Sequence, residues 1–183
     1  MVGLRVIYSW DDIEAFRQEL AFQVSVNPTN SMATVQKLVL GRSEFDNANS
    51  WVPSALVECA PYLSHVQHIT LSGFRWGKKE LAHDSISSLS GFYGSLTSLR
   101  IRRGLLRDTF HVDELVGTFP ALLDLHLEDV MFEISKTKNV VTSPHLTRPR
   151  LASLTVDCSA YTLTTIYQWL ISAGTHDRIF CKV

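Results

Sequence analysis

Arg100, Arg102, Asp124, His126 and Glu128 are the residues whose types and spacing could carry chemistry in this chain. They alternate with aliphatic residues in two short runs, Leu99-Arg100-Ile101-Arg102 and Asp124-Leu125-His126-Leu127-Glu128. In extended backbone every second side chain leaves from the same face, so each run presents its polar groups together. Two such strands paired side by side, about 4.8 Å apart, would set two guanidiniums beside an imidazole and two carboxylates. That cluster could recognise a charged peptide, because a guanidinium offers a planar fork to a carboxylate. The plainer alternative is that Arg102 and Glu128 pair with each other on the surface, for about 0 to 1 kcal/mol. Asp124, His126 and Glu128 also have the makings of an acid–base set. Such catalysis needs groups buried enough for their pKa values to move, whereas an open sheet face leaves them in water. The sequence also has no Gly-x-Ser-x-Gly elbow. The expectation is therefore no enzyme, no catalytic residue and no cofactor.

Other motifs are weaker. Gly73-Phe74-Arg75-Trp76-Gly77-Lys78-Lys79 follows an apolar run and ends in Gly-Lys, but it is one residue short of a phosphate loop. Lys79 also stands where a magnesium-holding hydroxyl belongs, so the segment reads as a turn with a small basic and aromatic patch. His65 and His68 lack the two further ligands that a tetrahedral metal site requires. Cys59, Cys158 and Cys181 are odd in number and widely spaced, which fits small core residues in a reducing compartment rather than a disulfide framework.

The elements that position the polar cluster follow from a repeated pattern of aliphatic, two variable residues, aliphatic, one variable residue, aliphatic. Its copies are Val35-Leu38-Leu40, Val66-Ile69-Leu71, Leu96-Leu99-Ile101, Leu122-Leu125-Leu127 and Leu151-Leu154-Val156, with first residues 31, 30, 26 and 29 apart. So even an interval, at or just above that of leucine-rich repeats, predicts one supersecondary unit per copy. The expected fold class is α/β: an irregular leucine-rich-repeat-like solenoid, with about five to seven strands in one parallel sheet and helices on the convex side. Three outward columns then cross the sheet. They are Lys37, His68, Ser98, Asp124, Ser153, then Val39, Thr70, Arg100, His126, Thr155, then Gly41, Ser72, Arg102, Glu128, Asp157.

Helix signals fill the intervals. Ser9 and Asp12 form a capping box ahead of Ile13, Phe16 and Leu20. Ser50 caps a helix with Pro53 in its first turn, with Leu56, Val57 and Ala60 facing inward, ending at Pro61. Asp84 or Ser85 starts another that stops near Gly91 and Gly94, and 112–117 fits one or two turns. Leu163, Ile166, Tyr167 and Leu170 recur at helical spacing. Residues 136–150, rich in Lys, Pro, Ser and Thr, read as an exposed loop. Met1-Leu4-Val6 fits the strand template once more, and 179–183 reads as a last strand. Solenoids close their ends with polar caps, and neither end of this sequence has one. Residues 1–183 are therefore expected to be one domain, as a fragment of a longer array or a truncated product.

With 17 basic and 18 acidic residues the net charge is −1, which gives no global attraction to nucleic acid or an anionic membrane. The longest uncharged stretch, Cys158 to Thr175, is only about half apolar, against the roughly 20 predominantly apolar residues a membrane helix needs. No secretory leader and no Asn-x-Ser/Thr acceptor is present, and the expected location is intracellular, cytoplasmic or nuclear.

Arg5-Val6-Ile7-Tyr8, the segment Trp10 to Leu20, Asn27-Pro28 and Val35-Gln36-Lys37-Leu38-Val39-Leu40 resemble the divergent leucine-rich repeat region of F-box-like proteins of mushroom-forming (basidiomycete) fungi. Phe119-Pro120-Ala121-Leu122-Leu123-Asp124-Leu125-His126-Leu127 and Leu151-Ala152-Ser153-Leu154-Thr155-Val156 extend the likeness over nearly the whole chain. The resemblance implies a substrate-recognition module of a ubiquitin ligase, reaching the cullin adaptor only through an F-box, which this sequence lacks. The position where regular repeats carry a ladder Asn or Cys here holds Ser43, Phe74, Gly104, Val130 and Ser159, which implies a looser array. The expected partner is a protein, bound through Arg100, Arg102, Asp124, His126 and Glu128. The competing reading is an α/β enzyme whose strand and helix units only mimic repeats, with a reversal of strand order that opens a crevice.

Overall fold

The computed structural model describes residues 3–26, 35–42, 51–76, 89, 92, 94–106, 112, 115–133, 151–172 and 181–182. Seven strands, β1 (Gly3–Ile7), β2 (Val35–Leu40), β3 (His68–Ser72), β5 (Ser98–Arg102), β7 (Asp124–Glu128), β9 (Ser153–Asp157) and β10 (Cys181–Lys182), form one sheet in that order. Every pairing is parallel and each strand lies beside the next in the chain, with no reversal. The protein is thus α/β with a parallel sheet. Three short strands, β4 (Arg75–Trp76), β6 (Leu105–Leu106) and β8 (Met131–Phe132), form a second parallel sheet alongside. Sequence patterning missed this second sheet, since two-residue strands leave no periodicity to read, and Arg75–Trp76 is strand where a turn is expected.

The aliphatic triplets explain the register. Leu38, Leu40, Ile69, Leu71, Leu99, Ile101, Leu125, Leu127, Leu154 and Val156 are all buried on one face, and Val66, Leu96 and Leu122 are buried just before their strands. Val35 and Leu151 pack against the same core. Strand entry is the same three times over. The Gln67 carbonyl accepts from Thr97 and Ser98 N–H, that of Thr97 from Leu123 and Asp124, and that of Leu123 from Ala152 and Ser153. One acceptor holding two successive donors fixes where each strand begins relative to its neighbour.

Strand exit is equally regular. Gly41, Gly73, Arg103 and Asp129, each the first residue after its strand, have positive φ, at 92°, 63°, 51° and 51°. The amides of Gly73, Arg103 and Asp129 donate to the carbonyls of Arg102, Glu128 and Asp157 on the next strand, at 2.9, 2.8 and 2.7 Å. These left-handed corners swing the chain from the main sheet into β4, β6 and β8, and they bury Phe74 and Val130. At Gly41 a Cβ would stand 2.0 Å from the Ser72 carbonyl oxygen, so only glycine fits.

Three α-helices are described: α1 (Trp10–Val26), α2 (Val52–Cys59) and α3 (Ala160–Ser172). Ser9 Oγ accepts from Asp12 N–H at 3.2 Å, and the Asp12 carboxylate reaches back to Tyr8 N–H at 3.0 Å, one residue earlier than the usual box. The Tyr8 N–H bond, with the Ser9 hydroxyl beside it, holds the Asp12 carboxyl below its ordinary pKa. Ile13, Phe16 and Leu20 are buried as expected. In α2, Trp51 rather than Ser50 occupies the N-cap position and makes no side-chain cap; Pro53 lies in the first turn and Ala60–Tyr62 continues as a 3-10 turn through Pro61. Val57 is only partly buried, and Ala55 takes the inward place beside Leu56. In α3, Ile166 is buried but Tyr167 is exposed, and Thr162 faces the core instead. Residues 115–117 are helical. The expected helix from Asp84 or Ser85 lies largely outside the described residues, although Leu89 is buried. The expected loop 136–150 and position 43 also lie outside them. Among the described residues, no helix is long and apolar enough to cross a membrane.

At β1 the template is one residue out of step. Arg5 pairs with Leu38 and Ile7 with Leu40, so these two face the core side, while Leu4 and Val6 align with Lys37 and Val39 on the other face. A one-residue slip exchanges the two faces of a strand, and Leu4 is accordingly 59% exposed. Arg5 covers the edge of the core, its guanidinium 4.6 Å above the Phe16 ring and 2.8 Å from Glu19. An inward-pointing charge of this kind blunts a sheet edge.

The corners yield a paired prediction. Gly41→Ala should lower the stability measured by chemical denaturation by about 2 kcal/mol or more, from the left-handed backbone and the carbonyl clash together. Arg103→Gly, at the equivalent corner, should change it by less than about 1 kcal/mol, because relief of the steric penalty is set against the lost Asp129 contact and the freer unfolded chain.

Candidate functional site

Registry places the expected residues together. Ser98, Arg100 and Arg102 on β5 pair with Asp124, His126 and Glu128 on β7, which in turn pair with Ser153, Thr155 and Asp157 on β9. The columns continue through His68, Thr70 and Ser72 on β3 and through Lys37 and Val39 on β2. Gly41 lies one residue past β2 and belongs to the corner rather than to the third column. All other side chains of this face that are described remain partly or fully exposed, apart from Ser72, which is 5% exposed.

Glu128 is the centre of the cluster. Its Oε1 accepts from Arg102 Nε and Nη2 at 3.0 and 2.8 Å, and its Oε2 accepts from Arg100 Nη2 at 2.5 Å. Arg102 is its directly opposite cross-strand partner and Arg100 its diagonal one, the two contacts a sheet face allows. The Glu128 side chain keeps only 19% of its exposure, whereas the arginines keep 42% and 38%. Burial pushes the Glu128 pKa up, but the hydrogen bonds and charge of Arg102 and Arg100 outweigh it, and the carboxyl lies below its ordinary value. The simple surface-pair alternative thus holds for Arg102 and extends to Arg100. Two guanidiniums share one carboxylate, leaving a surplus positive charge, and Arg100 Nε has no hydrogen-bond partner among the described residues.

His126, between these groups in register, has its pKa lowered, first by burial and then by Arg100. Glu128 and Asp157 pull it the other way, less strongly. It is therefore a neutral imidazole at pH 7. Asp124 and Asp157 are exposed, and Asp124 takes no part in the Glu128 contacts.

Two further ion pairs lie beyond the cluster, one at the corners after β5 and β7 and one across the second sheet. Arg103 Nε lies 3.7 Å from Asp129, and Arg75 pairs with Glu133 across the second sheet. Their charges are visible in the sequence, but the pairing depends on the left-handed corners and so could not be read there. Cys158 packs against the core and makes polar contacts as well. Its Sγ, half-buried, accepts from Val130 N–H at 3.3 Å and lies 3.7 Å from the Leu127 carbonyl oxygen, tying β9 to the preceding corner one residue before the expected ladder position Ser159. Cys59 is fully buried, and burial pushes its thiol up to about 12. Both are free thiols. Among the described residues no group of three or more His, Cys, Asp or Glu could hold a metal, and His65 lies in the turn before β3.

With this geometry, no protein-family model, no curated protein and no solved structure matches the chain.

The pKa shifts set a pH dependence. His126 binds its proton less readily in the folded state, so its contribution is complete above pH 6.5 and is lost as acid protonates the unfolded chain below that value. The Glu128 contribution is complete above 4.5 and lost as pH falls through its lowered folded pKa. An NMR titration should find the His126 imidazole below 6.5. Glu128→Gln should lower it further, because the variant removes a carboxylate that favours the imidazolium and frees two guanidiniums that oppose it. The same variant should destabilise the fold by about 1 kcal/mol.

Proposed function

We propose that the chain is a non-catalytic protein-binding module, an irregular leucine-rich-repeat-like solenoid that offers its bare strand face to a protein partner through Arg100, Arg102, Asp124, His126 and Glu128. The observation that carries this reading is the strand order. Six successive strands lie side by side in chain order, with one face buried along its length and the other left to solvent and lined by a polar cluster. Units that lean only on their neighbours build extended surfaces suited to partners. An α/β enzyme would place its ligand where strand order reverses, and the sheet contains no such reversal among the described residues. Repeated entry carbonyls and exit corners support one structural unit used several times.

The likeness to the repeat region of F-box-like proteins makes substrate recognition for a ubiquitin ligase the fitting role, in the cytoplasm or nucleus. The cullin adaptor would be reached through an F-box in a longer form of the protein. Proximity labelling with the full-length gene product should recover a cullin adaptor together with the recognised protein; labelling that lacks the adaptor would sink the ligase connection. Partners bound by the wild type should be lost or weakened about tenfold in Arg100→Glu/Arg102→Glu, since each reversal replaces an attraction with a repulsion of about 1 kcal/mol or more. Undiminished binding would remove these residues from the interface.

A further inference from the structure

Charge on the bare face is sorted by strand. The basic side chains that point outward from the main sheet, Lys37, Arg100 and Arg102, lie on β2 and β5, and the acidic ones, Asp124, Glu128 and Asp157, lie on β7 and β9. At the boundary Glu128 is consumed by the two arginines, which keep one positive charge in excess. Beyond the boundary Asp124 and Asp157 remain exposed. At the far end the outward side chains of β1 are apolar, with Leu4 59% exposed and Val6 beside Val39 in register, while exposed Lys37 lies beside Leu4 on β2.

We infer that this face takes an extended peptide lying across the strands, apolar over β1, acidic from β2 to β5 and basic over β7 and β9, an inference that rests on the binding-module reading. From β1 to β9 there are five strand spacings, about 24 Å at ~4.8 Å each, which roughly seven extended residues span. The acidic side chain meets the surplus charge of Arg100 and Arg102, whose side chains stay 42% and 38% exposed beside Glu128. The basic side chain meets Asp124 and Asp157. Thr70 and Ser98 between the two ends offer hydrogen bonds without charge, so the order of the peptide's residues, rather than its net charge, sets the fit.

Random heptapeptides displayed on phage and panned on the full chain test this. Recovered sequences should carry Asp or Glu near the middle, Lys or Arg towards one end and an aliphatic residue towards the other, each enriched about fivefold or more, the factor given by one complementary charge contact. In Arg100→Glu/Arg102→Glu the middle preference should turn from acidic to basic. Because that variant also breaks the Glu128 contacts, Asp124→Lys/Asp157→Lys, which alters only exposed side chains, provides the second reading and should turn the end preference from basic to acidic. Variants are compared only when their circular dichroism matches the wild type. Enriched peptides without charge order, yet lost in Arg100→Glu/Arg102→Glu, would overturn the polarised partner and leave the binding module standing. No enrichment over bare support would overturn the peptide itself, and the labelling experiment would then judge the module alone. A concentration-dependent dimer that Arg100→Glu/Arg102→Glu dissolves would overturn it in favour of a second copy laid basic half to acidic half.

Discussion

Parallel strands laid down in chain order can share one register only if every turn of the chain enters and leaves its strand at the same height. Here the entry is set by one carbonyl that holds two consecutive amides, repeated at Gln67, Thr97 and Leu123. The exit is set by a left-handed residue whose amide reaches the next strand, at Gly73, Arg103 and Asp129. Between them an aliphatic pair is pressed onto the core. If either end slipped by one residue, the buried and exposed faces of that strand would change places, and the polar cluster would dissolve with the core.

The cluster is a by-product of that constraint put to use. Arg102 and Glu128 meet because the strands are level, and Arg100 reaches the same carboxylate because it lies two residues away on the same face. The resulting contacts hold β5 to β7 at the surface, while Arg103 with Asp129 and Arg75 with Glu133 hold the corners and the second sheet. Each of these contacts joins a basic residue to an acidic one later in the chain, one unit on for Arg100, Arg102 and Arg103 and two units on for Arg75. The seam of opposite charge therefore steadies the sheet internally and leaves unequal remainders on its two sides, which is what gives the bare face a direction.

The β1 edge departs from this regularity. On β1, Arg5 takes a core-side position and lays its stem and guanidinium over Phe16, with Glu19 neutralising it. That choice pushes Leu4 and Val6 to the outer face. Apolar exposure there arises from one strand's shift in phase.

The sequence determined the spacing of the aliphatic triplets, and through it the strands, their buried face, the outward columns and the neighbourhood of Arg100, Arg102, His126 and Glu128, because alternation has a period of two that any extended chain obeys. It also determined α1, whose Ser9 and Asp12 cap acts locally. Tertiary structure alone decided the phase of β1, where Met1-Leu4-Val6 and Arg5-Ile7 compete and only packing of Ile7 on the core chooses between them. It decided that two arginines share Glu128, since a diagonal contact depends on side-chain reach and not on spacing. It decided the second sheet and the corners as well: a left-handed Arg103 or Asp129 is locally unfavourable, and is held by a hydrogen bond to the next strand, at Glu128 and Asp157 respectively.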